Sequence, residues 1–256
     1  MPPYKVEHRP DIFREILWRG ESKSGAEYFD IDGVAFVNEP NDCTRKTTEE
    51  LVAVIKPHSY LEKYIEIFSA FPCNRILEFG MWEGGSALLF ASLLKPLEKI
   101  VSIDLKAPNI VFDRLVRRVG YGKIIRPYYE VDQASPVVRE IVKKEFSGSP
   151  DIIIDDCSHL YAHTKVSFQL TFPLLAPGGL YIIEDWAWAH LPAFKDSEHF
   201  AGQPPMTNFI AELLVLYASR GGWIKTITVC GGMVIIEKGI KDIPENLNID
   251  SELYFI

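Results

Sequence analysis

Residues 75–104, RILEFGMWEGGSALLFASLLKPLEKIVSID, decide the fold. An apolar β-branched run (75–79) breaks at a glycine cluster. A helix-length apolar segment follows, and a second apolar run closes on an acid, Asp104. Runs this short and this continuously apolar are typical of strands buried on both faces, and a helix between two of them is the crossover that joins parallel neighbours. The unit recurs downstream: further runs occupy 124–129, 151–155 and 179–184, with helix-length segments between them. Repetition of βαβ units implies an open parallel sheet. WIKTITV and MVIIEKG differ because only Cys230-Gly231-Gly232 separates them, which suits a hairpin. The expected fold is therefore α/β, a seven-stranded doubly wound Rossmann-like sheet whose last strand is antiparallel.

Outward from this core, SYLEKYIEIFSAF places Leu61, Tyr64, Ile65 and Phe68 at helical spacing, and Pro72 stops that helix before the first strand. Residues 1–57 read as an N-terminal extension: DIFREILW as a short amphipathic helix, YFDIDGVAFVN as two short strands around Asp32-Gly33, and NEPNDCTRKTTEE as a polar loop. This section is expected to serve as a lid or oligomer contact, with a simple cap over one sheet face as the equal alternative. Residues 58–240 then form the main domain and 241–256 a C-terminal tail. A long insertion over 186–223 leaves the active edge of the sheet, and insertions of that length are usually functional.

Bulk properties narrow the class. The chain has 256 residues, 47% hydrophobic and 24% charged, enough for one substantial core. A net charge of -8 argues against a broad nucleic-acid or anionic-membrane footprint and favours a small-molecule partner. Four scattered cysteines without paired spacing suit reduced thiols, and the sequence carries neither a signal-like start nor a membrane-length apolar run, so a cytoplasmic protein is expected.

In open α/β sheets ligands bind beyond the carboxyl ends of the strands. Gly80, Gly84 and Gly85, with Ser86 after them, let the backbone approach a ligand there, although a glycine cluster by itself also makes a plain structural turn. Asp104 lies 24 residues beyond Gly80, where an acid grips a ribose diol. Two acidic steps end later strands: Asp155-Asp156 and Glu184-Asp185. Neighbouring strand residues face opposite ways, so in strand geometry one of each pair dominates. At a strand end Asp156, Glu184 and Asp185 can converge on a divalent cation while Asp155 faces a cofactor. Oxygen ligation of this kind suits magnesium, with manganese as a replacement. Helix capping is the alternative role for any single one of these acids. His159, three residues after Asp156, is placed to take a proton from a hydroxyl, and His163 shares its face. Cys157 reads as a bystander.

Glu78-Phe79-Gly80 with Gly84-Gly85 resembles the first motif of class I S-adenosylmethionine-dependent methyltransferases, with the Phe79 side chain itself suited to the core. DIIIDDCSHLYAHTKVSFQLTFPLLAPGGLYIIEDW (151–186) resembles the metal-dependent sugar O-methyltransferases of the macrocin and mycinamicin type through its SH, HT, SF, PGG and ED elements. The resemblance implies S-adenosylmethionine as cofactor and Asp132-Gln133 on its adenine side. It further implies Asp156, Glu184 and Asp185 as magnesium ligands and His159 as general base. The expected activity is methyl transfer to a hydroxyl of a sugar, glycoside or oligosaccharide; a phenolic or catechol acceptor and a non-methylating cofactor-binding protein are the alternatives. Related enzymes often assemble, so a homo-oligomer is possible. Cys157 departs from the glycine common in that branch. Trp186, Trp188, His190 and Phe194 in the insertion suit either stacking on a sugar or packing against a helix over 209–219.

Overall fold

A computed structural model describes residues 12–253. The elements, in chain order, are β1 (Ile16–Glu21), β2 (Glu27–Ile31), β3 (Val34–Asn38), β4 (Val52–Val54), α1 (His58–Ala70), β5 (Arg75–Phe79), α2 (Gly85–Leu93), β6 (Lys99–Ile103), α3 (Ile110–Arg118), β7 (Ile125–Tyr128), α4 (Val137–Glu145), β8 (Ile152–Asp155), α5 (Tyr161–Thr171), β9 (Leu180–Glu184), α6 (Met206–Ser219), β10 (Ile224–Cys230), β11 (Met233–Lys238) and α7 (Ile249–Glu252). Seven strands form one sheet in the order β10-β11-β9-β8-β5-β6-β7. β11 runs antiparallel to both β9 and β10, while β8 is parallel to β5 and β9. This is the α/β sheet with an antiparallel last strand that the spacing predicts. Among the described residues, no helix is long and apolar enough to cross a membrane.

The chain forms two compact units. One comprises the residues up to Asn74 with Met81–Ser102 and Lys106–Tyr129; the other comprises Arg75–Gly80, Ile103–Leu105 and everything from Glu130 onward.

In the first unit, β1 to β4 make a separate four-stranded sheet, with β3 and β4 parallel and the other pairs antiparallel. Phe29, Ile31, Val34, Phe36 and Val37 are buried, as is all of β4. This sheet packs on α2, and all nine residues of that helix are buried. GSALLFASL is apolar all round because a helix so enclosed has no wet side. Two expectations for the extension meet different outcomes. The strands around Asp32-Gly33 form, but the amphipathic helix over Asp11–Trp18 does not. Ile16 instead begins β1, paired with Ile31 of β2, and the rest of that stretch is not helical where it is described. The apolar spacing suits either structure, and ladder bonds to a neighbouring strand outweigh a short helix's weak propensity.

In the second unit, Ile152, Ile153 and Ile154 of β8 and Tyr181, Ile182 and Ile183 of β9 are essentially inaccessible, as expected for strands covered on both faces. Phe168 and Phe172 stack at 4.3 Å, and Phe209 meets Phe168 edge-on at 5.5 Å, so that α6 is anchored over α5. Such aromatic pairing and burial give the strand ends of this unit a rigid base.

Candidate active site

The chain runs from β5 to β6 and β7 on one side of the sheet and returns with β8 on the other, so the order reverses between β5 and β8. That reversal opens a crevice at the carboxyl strand ends. Gly80 lies there with φ +88°, its N–H donating to the Ile103 carbonyl at 2.9 Å. A Cβ at Gly80 would sit 1.9 Å from the Asp156 carbonyl oxygen, inside any permissible contact. Beside it, the Asp156 N–H donates to the Phe79 carbonyl at 3.0 Å. Glycine is thus required twice, by its dihedral and by the backbone pressed against it. Gly80→Ala is expected to cost on the order of 3 kcal/mol of stability, measured as a lower urea midpoint at unchanged slope. A midpoint like the wild type's would contradict the close approach.

In the first unit, Gly84 (φ +82°) precedes α2, and a Cβ there would lie 2.1 Å from the Phe112 ring. Gly85 opens the helix with the Ala53 carbonyl 2.0 Å from its would-be Cβ, and Ser86 follows, 9% exposed. Both glycines therefore have packing roles. Trp82, at φ +51°, is half exposed, with the Lys106 ammonium over its ring at 3.0 Å.

The remaining predicted residues belong to the second unit. Glu78 and Phe79 are buried in β5, Phe79 in register with Asp155. Asp104, just past β6, is buried, and its carbonyl accepts from the Val131 N–H at 3.1 Å. Asp132 turns on itself, its Oδ1 accepting from the Ala134 N–H at 2.8 Å. Asp155 points into a buried polar knot, where it accepts from Ser167 Oγ at 2.7 Å, Tyr181 Oη at 3.1 Å and Gln133 Nε2 at 3.1 Å. Burial raises its pKa, against the pull of these donors. Gln133 also accepts from the Ser158 N–H at 3.1 Å, tying this knot to the loop that carries the next acid.

Asp156, His159 and Asp185 come together: each offers a ligand atom, all within 4.8 Å of one another. Their convergence depends on the backbone. Asp155 and Glu184 are the last residues of their strands and are almost wholly buried. Asp185 turns out of β9 at φ +55°, and His159 is also left-handed at φ +56°. Such conformations are uncommon for these residues and cluster at functional sites. Glu184 stays outside the trio, in register with Met233.

Burial lowers the pKa of His159, opposed by the charges of Asp185, Asp155 and Glu184 and by a hydrogen bond to the Glu184 backbone. Donating one ring N–H to that carbonyl leaves the other nitrogen of a neutral imidazole able to accept a proton. Its Nε2 lies 4.0 Å from Asp156 Oδ1. Cys157 gauges the local field: burial, followed by Asp155, Asp104, Asp156 and Asp132, pushes its thiol well above the usual range. A pocket so rich in negative charge suits a cationic ligand.

The donor set fits a divalent cation. Oxygens held at ~2.1 Å in an octahedron stand ~4.2 Å apart across the metal, close to the span of the trio. Gly80 lacks a side chain at the strand reversal and Asp104 stands at a strand end, features that suit an extended nucleoside ligand.

Known proteins of this construction exist. Residues 77–186 match the family described as a methyltransferase domain. Mycinamicin VI 2''-O-methyltransferase of Micromonospora griseorubida is 32% identical over 127 residues, 47% of this chain and 29% of that enzyme. Rhamnosyl O-methyltransferase of Mycobacterium bovis is 28% identical over 146 residues, 55% of this chain and 57% of that enzyme. Among solved structures, the MycE methyltransferase from the mycinamycin biosynthetic pathway, in complex with Mg and SAH, superposes with a TM-score of 0.54 at 27% identity, covering 71% of this chain and 50% of that one. The chain thus spans less than two thirds of each of these proteins.

Several residues of the candidate site and of the insertion after β9 escaped the sequence reading. Ser167 and Tyr181 hold Asp155; a tyrosine within the apolar run LYIIE was the available signal for the second. In the insertion, Trp188 lies against His159 and Phe194, Trp186 Nε1 donates to the Gly231 carbonyl at 3.1 Å, and His190 Nε2 is 3.0 Å from Thr207 Oγ1 of α6.

Proposed function

We propose that this chain is a magnesium-dependent O-methyltransferase that uses S-adenosylmethionine to methylate a hydroxyl of a sugar, glycoside or glycosylated natural product. The observation that carries the reading is the meeting of Asp156, His159 and Asp185 at the strand ends, alongside the Gly80 reversal. The names of the similar proteins support it, because they are methyltransferases of mycinamicin and of rhamnosyl groups, and the MycE structure contains magnesium and SAH.

When bound, S-adenosylmethionine supplies a transferable methyl group and the divalent ion makes the acceptor hydroxyl more acidic. In this reading Asp156 and Asp185 hold the ion, and Glu184, buried beside them, adds negative charge. Asp104 binds the ribose hydroxyls, Glu78, Phe79 and Gly80 shape the cofactor's approach, and Gly84, Gly85 and Ser86 complete the glycine motif. Asp155 and Gln133 brace the loop beneath, with Asp132 on the adenine side. His159 removes the acceptor's proton, and burial, by lowering its pKa against the neighbouring carboxylates, favours the neutral imidazole that task needs. Holding acceptor and donor in line accounts for much of the rate.

The test is methyl transfer from labelled S-adenosylmethionine to a panel of glycosides and catechols, with and without chelator. Chelation is expected to abolish transfer to a glycoside while leaving cofactor binding intact, and added magnesium to restore it. Full activity in chelator would remove the metal role; transfer to catechols alone would remove the sugar.

A further inference from the structure

The insertion after β9 reaches back to the proposed base at two points. The Trp188 ring packs against the His159 imidazole, with centroids 4.4 Å apart and planes tilted by 48°. Trp188 is itself backed by Phe194, stacked at 4.7 Å and 11°, and Phe194 is met edge-on by Phe200 at 5.9 Å. Next to Phe200, His199 Nε2 lies 2.7 Å from the Ser158 carbonyl, so the backbone immediately before His159 is pinned as well. Between these two anchors His159 has a left-handed backbone, with φ +56°. That conformation costs energy for a histidine and persists only where the surroundings impose it. A side chain on such a backbone needs a wall to choose its rotamer, and the Trp188 ring supplies one.

We propose that Trp188, backed by Phe194, is a positioning residue that fixes the direction of the His159 ring. The proposal rests on the reading of His159 as the proton acceptor, but the contact can be measured without turnover. The role differs from stacking on an acceptor because it exists in the free protein. An indole on one face of an imidazole leaves the ring nitrogens accessible while blocking rotation about χ1 and χ2. If the ring strays by about an ångström, near-attack geometry is lost and rate falls by about 10²-fold at most; the loss of a supporting contact beside a catalytic group more commonly costs about 10- to 100-fold.

The experiment compares wild type, Trp188→Ala and Trp188→Phe in the full chain. In the protein without acceptor, the His159 Cε1–H resonance, assigned by its loss in His159→Asn, carries the ring-current shift of the indole. It is expected to move in Trp188→Ala and to be partly retained in Trp188→Phe. With acceptor and magnesium, Trp188→Ala is expected to lower kcat about 10- to 100-fold with the KM for S-adenosylmethionine and the magnesium half-saturation unchanged, and Trp188→Phe to recover most of the loss. A resonance that stays in place, an unchanged kcat, or a phenylalanine variant no better than alanine would overturn the proposal. A rise in acceptor KM alone would also overturn it, in favour of an acceptor-stacking role. If the wild type methylates no acceptor, the functional reading fails and the resonance comparison alone decides whether Trp188 orients His159.

Discussion

Asp156→Asn is expected to lower methyl transfer at fixed magnesium by about 10³-fold, because Lewis-acid stabilisation is worth several kcal/mol and each ~1.4 kcal/mol is a factor of ten. The substitution removes a charge and almost no volume. Its backbone N–H still reaches the Phe79 carbonyl, and its carbonyl still faces Gly80, so the fold around the reversal is retained. What changes is the trio: of the two carboxylates that approach within 4.8 Å of each other and of His159, one becomes a neutral amide. A divalent ion loses an anionic ligand in a pocket whose remaining negative charge is shared with Asp155 and Asp104. Magnesium half-saturation should therefore rise sharply while the affinity for demethylated cofactor holds. A magnesium titration of initial rates, with calorimetric binding of S-adenosylhomocysteine as the control, reads both. Turnover at wild-type level in ordinary magnesium would separate Asp156 from the metal and dissolve the proposed centre.

Most of the architecture behind that site is written locally. β5, β8 and β9 are legible because strands covered on both faces tolerate little but apolar, β-branched residues, and the hairpin of β10 and β11 is legible because so short a connection, Gly231-Gly232 in the folded chain, leaves room for nothing else. β1 is not legible, since ILWRGE carries a half-buried pattern and takes its structure from pairing with β2, a contact invisible in the segment itself. The same division runs through the site. That acids would stand at the strand ends follows from position. Which of them would meet does not, because the left-handed turns at His159 and Asp185 redirect those residues, and although histidine and aspartate enter that region more readily than most residues, only a small fraction of them do. Glu184, still within the strand, keeps strand geometry and stays buried in register with Met233. The polar knot around Asp155 draws on Gln133, Ser167 and Tyr181 from three segments, and only the folded chain assembles them.

His159→Asn is the second large effect expected, a fall in kcat of about 10²- to 10⁴-fold, the range supplied by a positioned general base. Asparagine is the sharper choice over alanine because it tolerates the left-handed backbone that position 159 adopts, so the loop should keep its shape while the proton acceptor disappears. The neighbouring Ser158 is held independently by the Gln133 side chain, which further protects the loop from collapse. Cofactor affinity and thermal stability should stay close to wild type. Magnesium dependence carries the argument, since His159 lies within ligand distance of both carboxylates and an imidazole there can serve as a ligand or as a base. A base predicts that the lost rate is not regained at any magnesium concentration and that the half-saturation is unchanged. A ligand predicts weakened magnesium binding and recovery of kcat when the ion is raised, and that recovery would reassign His159 to the metal and leave the acceptor's proton to another group.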